Sequence, residues 1–305
     1  MKYINIGGSG LKTSSIVFGC MRISDMPLND VSRLINTALE NGINLFDHAD
    51  IYGGGRSEEV FAKAVGMCPT IREKMFLQSK CGVGKGLYDL SKMYILNSVD
   101  GILKRLNTEY LDLFLLHRPD ALMEPEEIAE AFDYLNESGK VRYFGVSNQN
   151  TMQIMMLKKY VKQPIVANQL QLSLAHTLLI DAGLNVDMNN DAAINRDGSI
   201  LDYCHLNDIT VQSWSSLQYG FFEGTFLNNE KFEALNHVIN RMAEEKSVTN
   251  AAIAIAWLLR HPAGIQPLVG TTKCEQIADI AKAAQVELSR QEWYELYLAA
   301  GNKLP

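Results

Sequence analysis

INLFDHADIYGGG, residues 43–55, is a stretch in which a strand ends on chemistry. Ile43, Leu45 and Phe46 are apolar strand formers, and directly behind them come Asp47, His48, Asp50 and Tyr52. Gly53, Gly54 and Gly55 then break the pattern, because successive residues without Cβ suit a flexible loop better than a strand or helix interior. RSEEVFAKAV follows, with Val60, Phe61, Ala64 and Val65 at helical spacing. The order is strand, polar loop, helix. In α/β proteins binding and catalytic groups gather at the carboxyl ends of parallel strands, and Asp47 and Tyr52 fall at such an end.

The same rhythm repeats in both directions. Ahead of the stretch, residues 1–14 read as a small hairpin, SSIVFGC as a buried strand, and LNDVSRLINTALENG as a helix with Val31, Leu34, Ile35, Ala38 and Leu39 on one face. Downstream, strands are expected in KMFLQSK, LDLFLLH, VRYFGVSN, IVANQLQ, ITVQSWS and IQPLVG. Helical patterns separate them, and two stand in succession, KFEALNHVINRMAEEK and NAAIAIAWLLR, before the last strand. Helices in KCEQIADIAKAAQ and around RQEWYELYLAA complete the chain. Eight strands alternating with helices, with no linker between them, predict one (β/α)8 TIM barrel over residues 1–305, preceded by a β-hairpin and followed by an extra helix. A doubly wound sheet would want a glycine-rich phosphate fingerprint after its first strand, and FGCMRISDMPLND has none. The Asn/Asp-rich stretch AHTLLIDAGLNVDMNNDAAINRDGSI, after the sixth strand, is expected to be a mobile loop over the C-terminal face.

Composition narrows the function. Of the 305 residues 47% are hydrophobic, enough for a large core, and the net charge of -7 comes without a basic cluster of the kind that tracks nucleic acid. MKYINIGGSG lacks the apolar run of a secretory signal, and no stretch is long and apolar enough to cross a bilayer, so a cytoplasmic protein is expected. The five cysteines are scattered and never form a CxxC pair, which argues for free thiols over disulfides or a zinc site.

A barrel gathers its strand ends around one mouth. Those ends carry Gly19, Met21 and Arg22; Asp47 and Tyr52; Lys80; His117 and Arg118; Ser147 and Asn148; Gln169; Trp214 and Ser215; and Gly270, Thr271, Thr272 and Lys273. Taken singly, each has an ordinary structural explanation as a cap, a turn residue, a solvated charge or a packed aromatic. Together they have a chemical logic. A tyrosine is a poor acid at neutrality, with a free pKa of about 10, and an ammonium such as Lys80 would lower it by stabilising the phenolate. Asp47 can partner the lysine, while His117 can donate or orient a hydrogen bond to the oxygen that receives the proton. A carbonyl could be protonated there as a hydride arrives.

These residues carry a resemblance: the chain looks like an aldo-keto reductase, of the bacterial branch with the LHRPD motif. The family's catalytic tetrad matches Asp47 and Tyr52 in FDHADIYG, Lys80 in QSKCG and His117 in LLHRPD. Its nicotinamide-carboxamide binders match Ser147 and Asn148 in FGVSN and Gln169 in ANQLQ, and Trp214 takes the place of an aromatic that stacks on the nicotinamide. The resemblance implies Tyr52 as acid, His117 as polariser of a small carbonyl substrate, and NADPH lying extended across the mouth. Its cofactor contacts would extend to Gly19, Met21, Arg22, Asp47, Ser215, Leu217, Gly270, Thr271, Thr272, Lys273 and Gln276. At the adenosine end the chain departs from its relatives. Where they carry an arginine and a Glu-Asn pair, it has Gln276, Asp279 and Ile280. An amide recognises phosphate less well than an arginine fork, and Ile280 cannot hydrogen-bond adenine.

Two other functions use the same residues differently. One is an interaction protein on the same scaffold, since the family resembles potassium-channel β subunits that bind cofactor while serving a partner. The other is a metal-dependent hydrolase using Asp47, His48 and His117, for which the later strand ends offer Ser, Asn, Gln and Trp rather than further ligands.

Overall fold

The computed structural model describes residues 1–84, 87–184, 199–220 and 223–302. In chain order the strands are β1 (Tyr3–Asn5), β2 (Lys12–Ser14), β3 (Val17–Gly19), β4 (Leu45–Asp47), β5 (Phe76–Cys81), β6 (Leu111–Leu116), β7 (Val141–Ser147), β8 (Ile165–Gln171), β9 (Thr210–Trp214), β10 (Gln218–Tyr219), β11 (Gly224–Thr225) and β12 (Gln266–Val269). The helices are α1 (Leu28–Glu40), α2 (Arg56–Val65), α3 (Pro69–Arg72), α4 (Lys92–Leu106), α5 (Pro125–Glu137), α6 (Thr151–Tyr160), α7 (Leu178–Leu184), α8 (Ser199–Leu206), α9 (Glu233–Glu245), α10 (Asn250–Leu259), α11 (Cys274–Ala281) and α12 (Arg290–Ala299).

Strands β3 to β9 and β12 pair in parallel and close on themselves, β12 bonding both β9 and β3. This is the (β/α)8 barrel that the alternation of patterns predicts. Several of its helices, α1, α4 and α5 among them, bury a single stripe, whereas α10 is buried from Ala252 to Leu258. In α1 the stripe is Val31, Leu34, Ile35 and Ala38, spaced as a helix requires to face the sheet. Local chemistry sets several helix ends: Asn150 and Gln153 form a reciprocal capping box on α6, Ser289 and Glu292 do so on α12, and Ser91 caps α4.

The β1–β2 hairpin closes the bottom of the barrel. Ile6, in the short turn between its strands, packs with Val17, Leu45, Leu113, Leu115, Val166 and Leu268. Gly7 follows at φ +49°, and a Cβ there would lie 2.3 Å from the Val166 carbonyl oxygen, so only glycine lets the hairpin seat this closely.

Strand register places the interior polar residues. Asp47 pairs with Gln78, Ser147 and Gln169 stand side by side, and Gln212 lies between Gln169 and Gln266. Barrel interiors are usually filled by branched apolar side chains. Here one interior layer is made of four glutamines and a carboxylate.

Three local expectations change. Gly53, Gly54 and Gly55 all have positive φ but lie in an ordered 3-10 turn running from Tyr52, which feeds α2 directly. Part of the polar stretch after β8 is helical, as α7, because Ile180, Asp181 and Ala182 are buried, and its last two residues, Ser199 and Ile200, open α8; residues 185–198 lie outside the described residues. The β10–β11 ribbon escapes the sequence reading because two-residue strands carry no periodicity.

Candidate active site

The polar groups at the upper end of the barrel converge on Asp47. Its Oδ1 accepts from Lys80 Nζ at 2.6 Å, Gln78 Nε2 at 2.5 Å and Gln169 Nε2 at 3.2 Å. Lys80, wholly buried on β5, also donates to the His48 carbonyl at 2.6 Å. Burial disfavours the lysine's charge, yet the attraction of Asp47 and Tyr52 outweighs it, and the ammonium is held more tightly protonated than an ordinary lysine.

Tyr52 sits over this pair. Lys80 Nζ lies 5.0 Å from the centre of its ring, and the His117 imidazole meets the same ring nearly edge-on, at 6.1 Å and 85°. Two effects compete on the phenol. Burial pushes its pKa above the ordinary value, and the Lys80 ammonium draws it back only in part. The lysine therefore acts in the direction anticipated from the sequence, but desolvation is larger, and the phenol stays protonated at neutral pH. His117 is pushed well below the ordinary imidazole range by burial and by the charges of Lys80 and Arg118. A neutral imidazole keeps one N–H to donate.

The adjacent strand ends are tied to one another. Ser147 Oγ donates to the Gln169 carbonyl at 2.8 Å. Asn148, at φ +58°, reaches the His117 carbonyl with its amide nitrogen at 3.3 Å and accepts from Trp214 Nε1 at 3.2 Å. Ser215 also has a positive φ, +54°, and its hydroxyl donates to the Gln218 side chain. Two non-glycine residues in the left-handed region, one after β7 and one after β9 on either side of β8, mark backbone held against its preference. The Arg118 guanidinium lies 5.8 Å from the Trp214 ring centre, on the rim that also carries partly buried Leu217. Gln169, matched by resemblance to a carboxamide binder, spends its amide nitrogen here on Asp47 and Gln212.

The rim then runs past Gly19 and Gly270, which adjoin with no side chain between them: a Cβ on Gly270 would be 3.5 Å from the Gly19 carbonyl oxygen. Met21 and Arg22 are exposed beside it. Beyond Gly270, Thr271, Thr272 and Lys273 lead into α11, with Lys273 and Gln276 exposed and the Thr271 hydroxyl bonded to the Gln276 amide oxygen. Ile280, by contrast, is buried in the core and cannot face a ligand at all.

His48 belongs to the wall rather than the mouth. Its ring meets Phe61 edge-on at 4.6 Å, neither nitrogen has a partner among the described residues, and burial lowers its pKa to about 3. Among the described residues no group of three or more His, Cys, Asp or Glu side chains converges as a metal's ligands would.

Gln78, Gln212 and Gln266 are absent from the sequence-derived site. A signal for them exists: FLQSK, TVQSW and IQPLV each put a glutamine inside an apolar strand. A buried amide needs a partner, and three at matching depth in one barrel imply partners in each other.

Comparison with known proteins places this geometry. Residues 15–297 match the model of the aldo/keto reductase family. An uncharacterized oxidoreductase of Bacillus subtilis is 36% identical, with 95% of each chain covered. A 6-dehydroglucose reductase of Agrobacterium fabrum is 34% identical, with 96% of each covered. Among solved structures, a thermostable aldo-keto reductase in complex with the inhibitor epalrestat superposes with a TM-score of 0.80 at 25% identity, over 98% of this chain and all of that one. A barrel with this connectivity, a buried Asp–Lys pair beneath a tyrosine, and a family match over nearly its whole length together identify the chain as a member of the aldo/keto reductase family, an NAD(P)H-dependent oxidoreductase.

Proposed function

We propose that this chain reduces an aldehyde or ketone to the alcohol, using NADPH, with Tyr52 as the general acid. The observation that carries the reading is the stack of Asp47, Lys80 and Tyr52 beside a neutral His117. A protonated phenol can give its proton to a carbonyl oxygen, and the Lys80 ammonium beneath it stabilises the phenolate left behind. His117 donates a hydrogen bond to the same oxygen. Asp47 holds Lys80 in place.

The residues present suit a nicotinamide dinucleotide. Trp214 offers a partly exposed indole at the mouth, Gly19 and Gly270 leave the rim low, and Thr271, Thr272 and exposed Lys273 precede the first turn of α11, where N–H groups and an ammonium favour phosphate. When bound, the cofactor supplies the hydride. Ser147 and Asn148 stand beside His117 at the place its carboxamide end would occupy by the family's pattern, and Lys273 would meet a 2′-phosphate. Gln276, already engaged by Thr271, adds an amide rather than a guanidinium there, so the preference for NADPH over NADH is moderate.

The test is turnover. NADPH or NADH is incubated with a panel of aldehydes, ketones, quinones and a keto-sugar of the kind named for the Agrobacterium relative, and loss of reduced-nicotinamide absorbance is followed. Oxidation of NADPH by at least one carbonyl, faster than of NADH, is the expected result. Tight NADPH binding with no oxidation across the panel would overturn catalysis in favour of a cofactor-binding interaction protein.

A further inference from the structure

The glutamines below the mouth form a chain with a direction. At its lower end, Gln266 Nε2 donates to the Ser14 carbonyl at 2.7 Å and to Thr13 Oγ1 at 3.0 Å, both in the hairpin that plugs the barrel. That fixes which way its amide faces, since a backbone carbonyl can only accept. The Gln266 oxygen is turned upward and accepts from Gln212 Nε2 at 2.9 Å. Gln212 and Gln78 then pair reciprocally across the barrel, each amide nitrogen 2.9 Å from the other's oxygen. At the top, Gln78 Nε2 reaches Asp47 Oδ1. A carboxylate oxygen there likewise needs a donor, so the acceptors at the two ends impose the same orientation on every amide between them.

All three glutamines are wholly buried. A polar layer of this depth is tolerated only when its groups satisfy one another, and apolar side chains would fill the space without that requirement. Of these three, Gln78 is the member that touches the proton-transfer machinery: its nitrogen lands on the Asp47 oxygen that holds Lys80 and that also accepts from Gln169. The geometry points to Gln78 as a positioning residue for the reduction, one that fixes the Asp47 carboxylate beneath Lys80, with Gln212 and Gln266 anchoring its amide to the N-terminal hairpin. This rests on the reading of Tyr52 as the acid, because Gln78 acts on the phenol only through Asp47 and Lys80.

The consequences are specific. With Gln78 gone, the Asp47 carboxylate loses a donor and can turn away from its present position, so Lys80 is less well placed against the phenol and proton transfer slows. In Gln78→Leu, kcat should fall by about tenfold or more, the scale of a misplaced catalytic group. The NADPH Kd should stay within about twofold, because Gln78 lies below the mouth. The solvent deuterium isotope effect on kcat should rise, since proton transfer then limits turnover more. Gln78→Glu supplies a second readout: as a neutral acid its O–H can donate to Asp47, and as a carboxylate it can only repel it. Its activity should therefore survive at low pH and be lost through an added ionisation that the wild type lacks.

Wild-type kcat and isotope effect in Gln78→Leu would overturn the proposal. So would a slower Gln78→Leu whose isotope effect is unchanged, which marks a purely structural role. If Gln78→Leu does not fold, a Gln78→Glu pH profile identical to wild type overturns it, and the added ionisation supports it. Tyr52→Phe is assayed alongside: retained turnover there removes the acid itself, whereas lost turnover there with a silent Gln78→Leu removes only the role of Gln78.

Discussion

Lys80 Nζ and Asp47 Oδ1 are 2.6 Å apart, and both side chains are sealed from solvent. Two opposite charges so placed are mutually dependent, because removing one strands the other in a low-dielectric interior. Lys80→Met should therefore destabilise the fold by about 3–5 kcal/mol as well as slow catalysis severely. The phenol should also titrate higher, since Lys80 is what draws its pKa down against burial. Denaturant unfolding and the pH dependence of the residual rate check both effects. A variant as stable as wild type with the same pH profile would show the lysine to be a bystander.

His48 gives a stability prediction with a definite sign. Its folded pKa is about 3 against an ordinary 6.5, so below pH 6.5 the unfolded chain takes up a proton that the folded chain refuses. Stability should fall as pH drops through 6.5 toward 3, by about 2 kcal/mol between pH 7 and pH 5 from this residue alone. Asp50, pushed up to about 6 by burial and by Glu58, acts in the opposite sense. His48→Leu isolates the histidine. It loses no side-chain hydrogen bond, and its unfolding free energy should decline less on acidification than that of the wild type. An identical decline in the two proteins would mean that His48 is not the buried neutral group described.

At the adenosine end, Lys273 is an exposed ammonium at the start of α11. Lys273→Met should raise the Kd for NADPH roughly tenfold to a hundredfold, and that for NADH far less, if the lysine reads a 2′-phosphate. Gln276→Arg should tighten NADPH selectively. Both effects should shrink as salt is raised, because the contact is near solvent. Equal weakening of the two cofactors in Lys273→Met would remove the physical basis for NADPH preference.

Much of this architecture is legible in the sequence, for physical reasons that can be named. Buried parallel strands such as LDLFLL and amphipathic helices such as α1 announce themselves by period, and their alternation leaves few folds open. Strand ends are equally visible, which is why Asp47, Tyr52, Lys80 and His117 can be named before any coordinates exist. What sequence does not carry is lateral register. Gln78, Gln212 and Gln266 are far apart in the chain, and only strand pairing reveals that their amides meet. The balance of forces on Tyr52 is also illegible, because the proximity of Lys80 can be anticipated while the extent of burial cannot. The short β10–β11 ribbon and the helical start of the stretch after β8 depend on packing rather than on local pattern.

The central claim is that Tyr52 delivers the proton. Tyr52→Phe removes one hydroxyl and little else, so the measurement is steady-state carbonyl reduction by this variant, paired with NADPH binding followed by fluorescence. Turnover should vanish into the background while the NADPH Kd stays close to wild type. Turnover within a few-fold of wild type, in a variant that still binds NADPH, would contradict the assignment.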